Sequence, residues 1–378
     1  MRIPLAVPDL SGNEEAYVGR AIRSSWISST GEYVTRFERE FAGLCGVRST
    51  ISVANGTAAL HLALLAMDAG PGDEILVPSL TYVATANAVR YVGAEPVFVD
   101  VDPGTWCLDP AALARRITAR TKGIVAVHLY GHPADMDAIN EIAAAHRLWV
   151  IEDAAEAHLA RYKGRVAGSL GRIATFSFYG NKIFTSGEGG AVAVDDPALE
   201  RRLRILRGQG MDPERRYFFP VTGYNYRLTN VACAMLCAQF ERRDDILDRR
   251  RRVFLRYRDR LEEIPGIGFQ PVAPWAEPAP WLFCITVDPL TYGMTRDGLI
   301  AALEREGIET RPFFIPLHRL PPFERQSRER GEELPVTERL AGMGMNLPTY
   351  SQLTGEQVDR VASAIRSARD QGRERARR

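Results

Sequence analysis

The chain has 378 residues and a formal net charge of +1. Such a balance supplies no global field to draw in nucleic acid or an anionic membrane, so neither is expected as a partner. The length exceeds one ordinary core and predicts a large domain over residues 1–240 with a smaller one over 241–378.

The N-terminal stretch MRIPLAVPDLSGNEEAY carries no long apolar run, and no segment approaches the ~20 apolar residues that span a bilayer. No signal peptide and no membrane span are therefore expected. Cys45, Cys107, Cys233, Cys237 and Cys284 are scattered, odd in number and free of C-x-x-C spacing, which predicts a reduced, cytoplasmic protein. Cys233 and Cys237 stand one helical turn apart, but no His or Cys pair accompanies them, so they read as small buried side chains rather than metal ligands.

In chain order, short β-rich runs alternate with helix-like stretches. The strands are DEILVPS, AEPVFVDVD, GIVAVHLYG, LWVIEDAAE, IATFSFYG and GGAVAVDD; the helices include GTAALHLALLAMDAG, YVATANAVRYVG, DPAALARRITART and DMDAINEIAAAHR. This alternation predicts an α/β fold with a mostly parallel sheet covered on both faces, because ILV, VFV and IVAV are apolar at every position. Right-handed crossovers place the strands' C-terminal ends on one edge, where open α/β sheets bind ligands. One long charged helix is expected after YRLTN, with the arginines at 249–252 on a solvated face. Beyond PGIGFQPVAPWAEPAPW, the runs WLFCITVD, DGLIAALEREGIETRPFF and TGEQVDRVASAIRSARDQ predict a smaller α+β unit with a frayed, solvated tail, GRERARR.

Four features carry chemistry. Lys182, in SFYGNKIFTSGEGG, lies just past a strand among Gly180, Gly187, Gly189 and Gly190, and a lysine amine in such a place suits Schiff-base formation. In VANGTAALHLAL a strand runs through Asn55-Gly56-Thr57 into a helix, whose first amides suit a phosphate; an ordinary N-cap from Asn55 or Thr57 is the competing reading. Asp153 ends an apolar strand in WVIEDAAEAH, where a carboxylate needs a partner such as a protonated pyridine nitrogen, or serves as a helix cap. Tyr82, in SLTYVATANA, follows another strand and suits either a flat ring or the core. Together these meet the requirements of pyridoxal 5'-phosphate (PLP). A Walker-type loop, a G-x-G-x-x-G fingerprint and metal-ligand spacing are all missing from the sequence.

Nearly the whole chain resembles the DegT/StrS nucleotide-sugar aminotransferases, within the fold-type I PLP enzymes. The residues that carry the resemblance run from WISSTGEYVTRFEREFAGLCG through NGTAALHLAL, PSLTYVATANAVRYVGAEPVFVDVD, VIEDAAEAH and TFSFYGNKIFTSGEGGAV to GYNYRLTN. The resemblance implies that Lys182 is the Schiff-base lysine and Asp153 the partner of the pyridine nitrogen. It further implies Tyr82 as the stacking ring, Thr57 and Ala58 as the phosphate turn, and Ser177 as another phosphate ligand. Glu156 stands where many relatives have Gln or His near the cofactor's phenolic oxygen. Arg227, where Asn is common, falls in a loop that reaches the neighbouring subunit's cofactor, implying a homodimer with shared sites.

The combination of SFYGNK, GQGMDPERRYFFPVTGYNYR and RPFFIPLH most resembles the GDP-perosamine synthase subgroup, which aminates C4 of GDP-4-keto-6-deoxymannose with L-glutamate. Arg215, Arg216, Arg311 and His318 become candidates for holding the sugar nucleotide, with ordinary surface pairing as the alternative for the arginines. Amination at C3 of a keto-sugar, or of a cyclitol ketone, would use the same cofactor site. Sugar 3-dehydratases of this scaffold carry histidine in place of the lysine, which Lys182 argues against, and the Lys182–Asp153 pair argues against a non-catalytic PLP-binding regulator.

Overall fold

The structure is a computed structural model that describes residues 2–377, with side chains to residue 372. Seven strands form the main sheet: β1 (Ser49–Val53), β2 (Glu74–Pro78), β3 (Glu95–Val99), β4 (Thr121–Val127), β5 (Trp149–Asp153), β6 (Ile173–Ser177) and β7 (Gly190–Val194). Their order across the sheet is β1-β7-β6-β5-β4-β2-β3. Strands β6, β5, β4, β2 and β3 run parallel, while β7 is antiparallel to both β6 and β1. The sheet is mixed and mostly parallel, as the strand–helix alternation predicts.

Period-two alternation assigns the two faces. Ile75 and Val77 of β2, with Ile151 and Val192, pack against the helices Gly56–Ala66, Ala84–Tyr91 and Pro197–Arg207. Leu76, Ala126, Ala174 and Ala193 face the opposite layer, built from Glu14–Arg23, Glu32–Cys45, Met136–His146 and Asn230–Glu241. There Phe37, Phe41, Phe176, Phe178 and Phe240 interlock edge-to-face and stacked. Burial on both faces explains why these strands read as continuous apolar runs.

A second, antiparallel sheet holds β8 (Ile267–Phe269), β9 (Phe283–Val287), β10 (Arg311–Pro312) and β11 (Gly344–Leu347), in the order β8-β9-β11-β10. The helices Arg243–Leu261, Arg296–Arg305 and Gly355–Arg377 contribute Tyr257, Leu299, Leu303, Val361 and Ile365 to its core. Ile3, from the other end of the chain, joins that core and bridges to Ile308.

Three expectations change. The single helix after YRLTN is two, Asn230–Glu241 and Arg243–Leu261, because Arg242 leaves helical geometry at φ −107° and ψ 13°. The arginines at 249–252 do not all face water: Arg250 is buried, since helical periodicity puts it on the side of Ile246, Val253 and Tyr257. The GRERARR tail is not frayed in its backbone, which is helical to Arg377; the side chains beyond Gly372 lie outside the described residues. All five cysteines are free and buried.

Candidate active site

The C-terminal ends of β1, β2, β4, β5 and β6 converge on a cavity of about 500 Å³, and the second sheet closes it with Arg311 and Asn346. Four sequence features meet there: Thr57, Tyr82, Asp153 and Lys182 all line it, and so do Glu156 and Ser177.

At the first of these ends the chain leaves β1 and enters the helix Gly56–Ala66. Asn55 is the N-cap: its side chain accepts from the Ala58 amide at 2.9 Å, and its carbonyl takes the Ala59 amide. The cap therefore occupies Ala58, which does not line the cavity, and leaves the Gly56 and Thr57 amides free of partners among the described residues. A Cβ on Gly56 would stand 2.8 Å from the Ser177 Cβ, so only glycine lets this helix start pack beside Ser177. The Asn55 cap therefore leaves two neighbouring amides open to an anion, so capping does not exclude a phosphate at this turn.

Asp153 ends β5, almost fully buried. Its carboxylate accepts from Thr85 Oγ1 at 2.8 Å and from the Ala155 amide at 3.2 Å. Burial raises its pKa, against the opposite pull of these two bonds and of Lys182. The strand beneath it is pinned by Glu152, whose wholly buried carboxylate accepts from His128 Nε2 (3.0 Å) and from the amides of Gly168, Leu170 and Gly171 (2.7 Å each). His128 Nδ1 accepts from the Ala134 amide, so its proton sits on Nε2 and points to Glu152. Thr85 lay inside a stretch legible only as a helix, so sequence carried no sign of its bond to Asp153.

Lys182 is in the turn after β6, its amide bonded to the Tyr179 carbonyl. The loop is not merely a surface construction: Ile183 and Phe184 are buried, and among its glycines Gly187 alone takes a positive φ, +83°. Burial pushes the Lys182 amine below the ordinary lysine value, while Glu156 and Asp153 pull it up. Glu156 Oε1 lies 3.9 Å from Lys182 Nζ, and Oε2 accepts from the Tyr130 amide at 2.8 Å.

Burial pushes the Glu156 carboxyl up to about 7, more than Lys182 and the Tyr130 amide lower it. Between about pH 4.5 and 7 the folded chain then holds a proton that the unfolded chain has released. This contribution to stability is full below the unfolded pKa and is lost as pH rises through 7. Glu156→Gln should remove it. Unfolding free energies from urea titrations of the cofactor-free protein between pH 5 and 8 should fall less steeply in the variant, by on the order of 2 kcal/mol over the range. Parallel profiles would remove Glu156 as the titrating group.

Tyr82 is 58% exposed at the cavity, tilted toward Phe314 at 5.9 Å. Arg311 lines the mouth from β10. The remaining candidates lie elsewhere. Arg215 and Arg216 are exposed and sit over the rings of Phe218 (4.5 Å) and Tyr217 (4.9 Å). His318 is buried, bonded to Ser79 Oγ at 2.7 Å and to Glu338 at 3.1 Å. Arg227 donates to Ser29 Oγ at 3.1 Å, and its backbone bridges to Val53 at the sheet edge. The GYNYRLTN loop also serves its own fold: Thr229 caps the helix that follows, and the Asn230 side chain accepts from the Tyr33 amide at the start of Glu32–Cys45. Trp281 and Asn346 line the cavity and were not anticipated: Trp281 reads as part of the run WLFCITVD, Asn346 falls in no expected element, and only the second sheet placed over the first brings them to the site.

These groups fit PLP. Two amides without partners among the described residues stand beside Ser177 and suit a phosphate, Asp153 offers a buried carboxyl group, and Lys182 is the one lysine among the described residues lining the cavity.

The comparisons agree. The family model for DegT/DnrJ/EryC1/StrS aminotransferases matches residues 8–366. A GDP-perosamine synthase of Caulobacter vibrioides is 48% identical over 96% of this chain and 97% of that protein. The crystal structure of DesV from S. venezuelae with a ketimine intermediate has a TM-score of 0.90 at 37% identity, over 98% of this chain and 99% of that one. The PLP form of Spr1654, a putative sugar aminotransferase from Streptococcus pneumoniae, has a TM-score of 0.91 at 26% identity, over 98% and 100%. A half-buried lysine and a buried aspartate lining one cavity, within a chain matched almost end to end by PLP-dependent relatives, make this a PLP-dependent enzyme, and the chain belongs to the DegT/DnrJ/EryC1/StrS aminotransferase family.

Proposed function

We propose that this enzyme moves the amino group of L-glutamate to the ketone of a nucleotide-linked 4-keto-6-deoxy sugar, with GDP-4-keto-6-deoxymannose as the acceptor. The observation that carries the reading is the convergence of Lys182, Asp153 and the Gly56–Thr57 helix start on one cavity with Arg311 at its mouth. The 48% identity to a GDP-perosamine synthase supports the choice of acceptor.

PLP, when bound, supplies the electron sink and carries nitrogen between the two substrates. The protein's own residues do the rest. The Gly56 and Thr57 amides and Ser177 anchor the phosphate, Asp153 presents its charge to the ring nitrogen, and Tyr82 covers the ring. Lys182 holds the cofactor and then moves the proton at the substrate carbon, a task suited to an amine whose pKa burial has lowered. Arg311 holds the diphosphate by charge-assisted bonds.

Steady-state kinetics with GDP-, dTDP- and UDP-linked keto-sugars and free cyclitol ketones tests the acceptor. The highest kcat/KM is expected for the GDP-linked 4-ketone. A clear preference for another acceptor sinks that assignment and leaves the aminotransferase intact.

The same reading makes the enzyme a homodimer in which Arg227 serves the neighbour's site. The exposed apolar residues Trp26, Ile27, Tyr217, Phe218 and Phe219 support a covered surface. Mixing Lys182→Ala chains with inactive Arg227→Ala chains should restore activity through hybrid sites. Hybrid dimers without activity would refute sharing. Among the described residues no helix is long and apolar enough to cross a membrane.

A further inference from the structure

The amine of Lys182 meets two walls. One is the Glu156 carboxylate at 3.9 Å; the other is the ring of Trp281, whose centroid lies 4.0 Å from Nζ. Trp281 also donates its indole N–H to the carbonyl of Asn181, the residue just before the lysine, at 2.9 Å. One buried side chain thus touches both the backbone that carries Lys182 and the amine at its tip.

Trp281 precedes β9, so the second sheet delivers it to the cavity. Its ring stacks with Tyr130, at 6.2 Å and 22°. Its backbone is held from behind by Arg250, whose Nη1 donates to the carbonyls of Trp281 (2.9 Å), Pro280 and Thr349 (3.4 Å each). Arg250 is almost fully buried, and among the described residues it forms no ion pair. Burying a charge without a counter-ion is costly, and carbonyl dipoles are its compensation here. A guanidinium spent on three carbonyls fixes a short piece of backbone, and that piece carries Trp281.

We propose that Trp281 is a positioning residue for the Lys182 amine, confining it to the cofactor side of the cavity, and that Arg250 is the clamp that holds Trp281 in place. The proposal rests on Lys182 being the residue that captures the cofactor. In that capture the neutral amine nitrogen adds to the aldehyde carbon of PLP, a carbon–nitrogen double bond forms, and the aldehyde oxygen leaves as water. An amine free to swing reaches the aldehyde in fewer of its conformations, so capture slows.

The test uses cofactor-free full-length protein and two readouts. One is the rate of covalent PLP capture, followed by absorbance. The other is the equilibrium affinity for pyridoxamine phosphate, which has the same phosphate and ring but no aldehyde. Lys182→Ala is the control: loss of capture in it shows that the underlying reading holds, and capture at the native rate refutes that reading and this one together. Given that control, Trp281→Ala should capture PLP at least tenfold more slowly while binding pyridoxamine phosphate within threefold of the parent. Trp281→Phe, which keeps a ring beside the amine, should recover most of the rate. Arg250→Lys keeps a charge but loses the planar fork, and should fall between the parent and Trp281→Ala. Native capture by Trp281→Ala, or a parallel loss of pyridoxamine phosphate affinity, would overturn the positioning role. Native capture by Arg250→Lys would overturn the clamp.

Discussion

Lys182→Ala should abolish repeated transfer of nitrogen, with a loss in kcat of at least about 10³-fold. The substitution removes the one lysine among the described residues lining the cavity. No neighbouring amine is placed to replace it, since the other basic residue in the lining, Arg311, stands at the mouth and offers a guanidinium rather than an amine. The fold should survive. The loop is held by the Trp281 bond to the Asn181 carbonyl and by buried Ile183 and Phe184, not by the lysine amine. Removing the amine leaves Glu156 beside an emptied position, and a buried acid there takes up a proton rather than remaining an unpaired charge. Melting temperature and circular dichroism should stay near the parent's, while multiple-turnover assays with glutamate and a keto-sugar read the loss. Sustained turnover by the variant would remove Lys182 from its role.

Asp153→Asn should lower kcat by about 10²–10³-fold, in the range seen when one preorganised electrostatic partner is lost. Asparagine matches the shape of the carboxylate and can still accept one of the bonds from Thr85 and Ala155. It carries no charge to keep a ring nitrogen protonated, so the electron sink weakens. The proposed phosphate site, Gly56, Thr57 and Ser177, lies at other strands' ends, so affinity for pyridoxamine phosphate should change far less than kcat. A near-native rate would take Asp153 out of the chemistry. A matched fall in affinity and rate would recast it as a residue that merely shapes the cavity.

The local code of this chain is unusually direct. Doubly buried strands are mostly apolar, so β2 to β6 were visible as runs, and their C-terminal ends pointed to Asp153 and Tyr82 without any coordinates, while Ser177 came only from the family resemblance. Glycine at position 56 and the lysine among glycines near 182 were legible for the same kind of reason: a close approach or a tight loop admits few residue types.

Long-range contacts left no such trace. Whether Ala58 or Gly56 offers a free amide depends on where the Asn55 side chain turns. That Arg250 points inward depends on which face of its helix the second sheet covers. His318 reads as a site histidine, yet it spends its nitrogens on Ser79 and Glu338, 239 and 20 residues away in sequence. Trp281 and Asn346 become cavity walls only when the second sheet docks across the strand ends of the first. Periodicity and turn chemistry act over a few residues and are written in them. The partners of a buried polar group are set by packing between distant segments, and only the folded chain decides those.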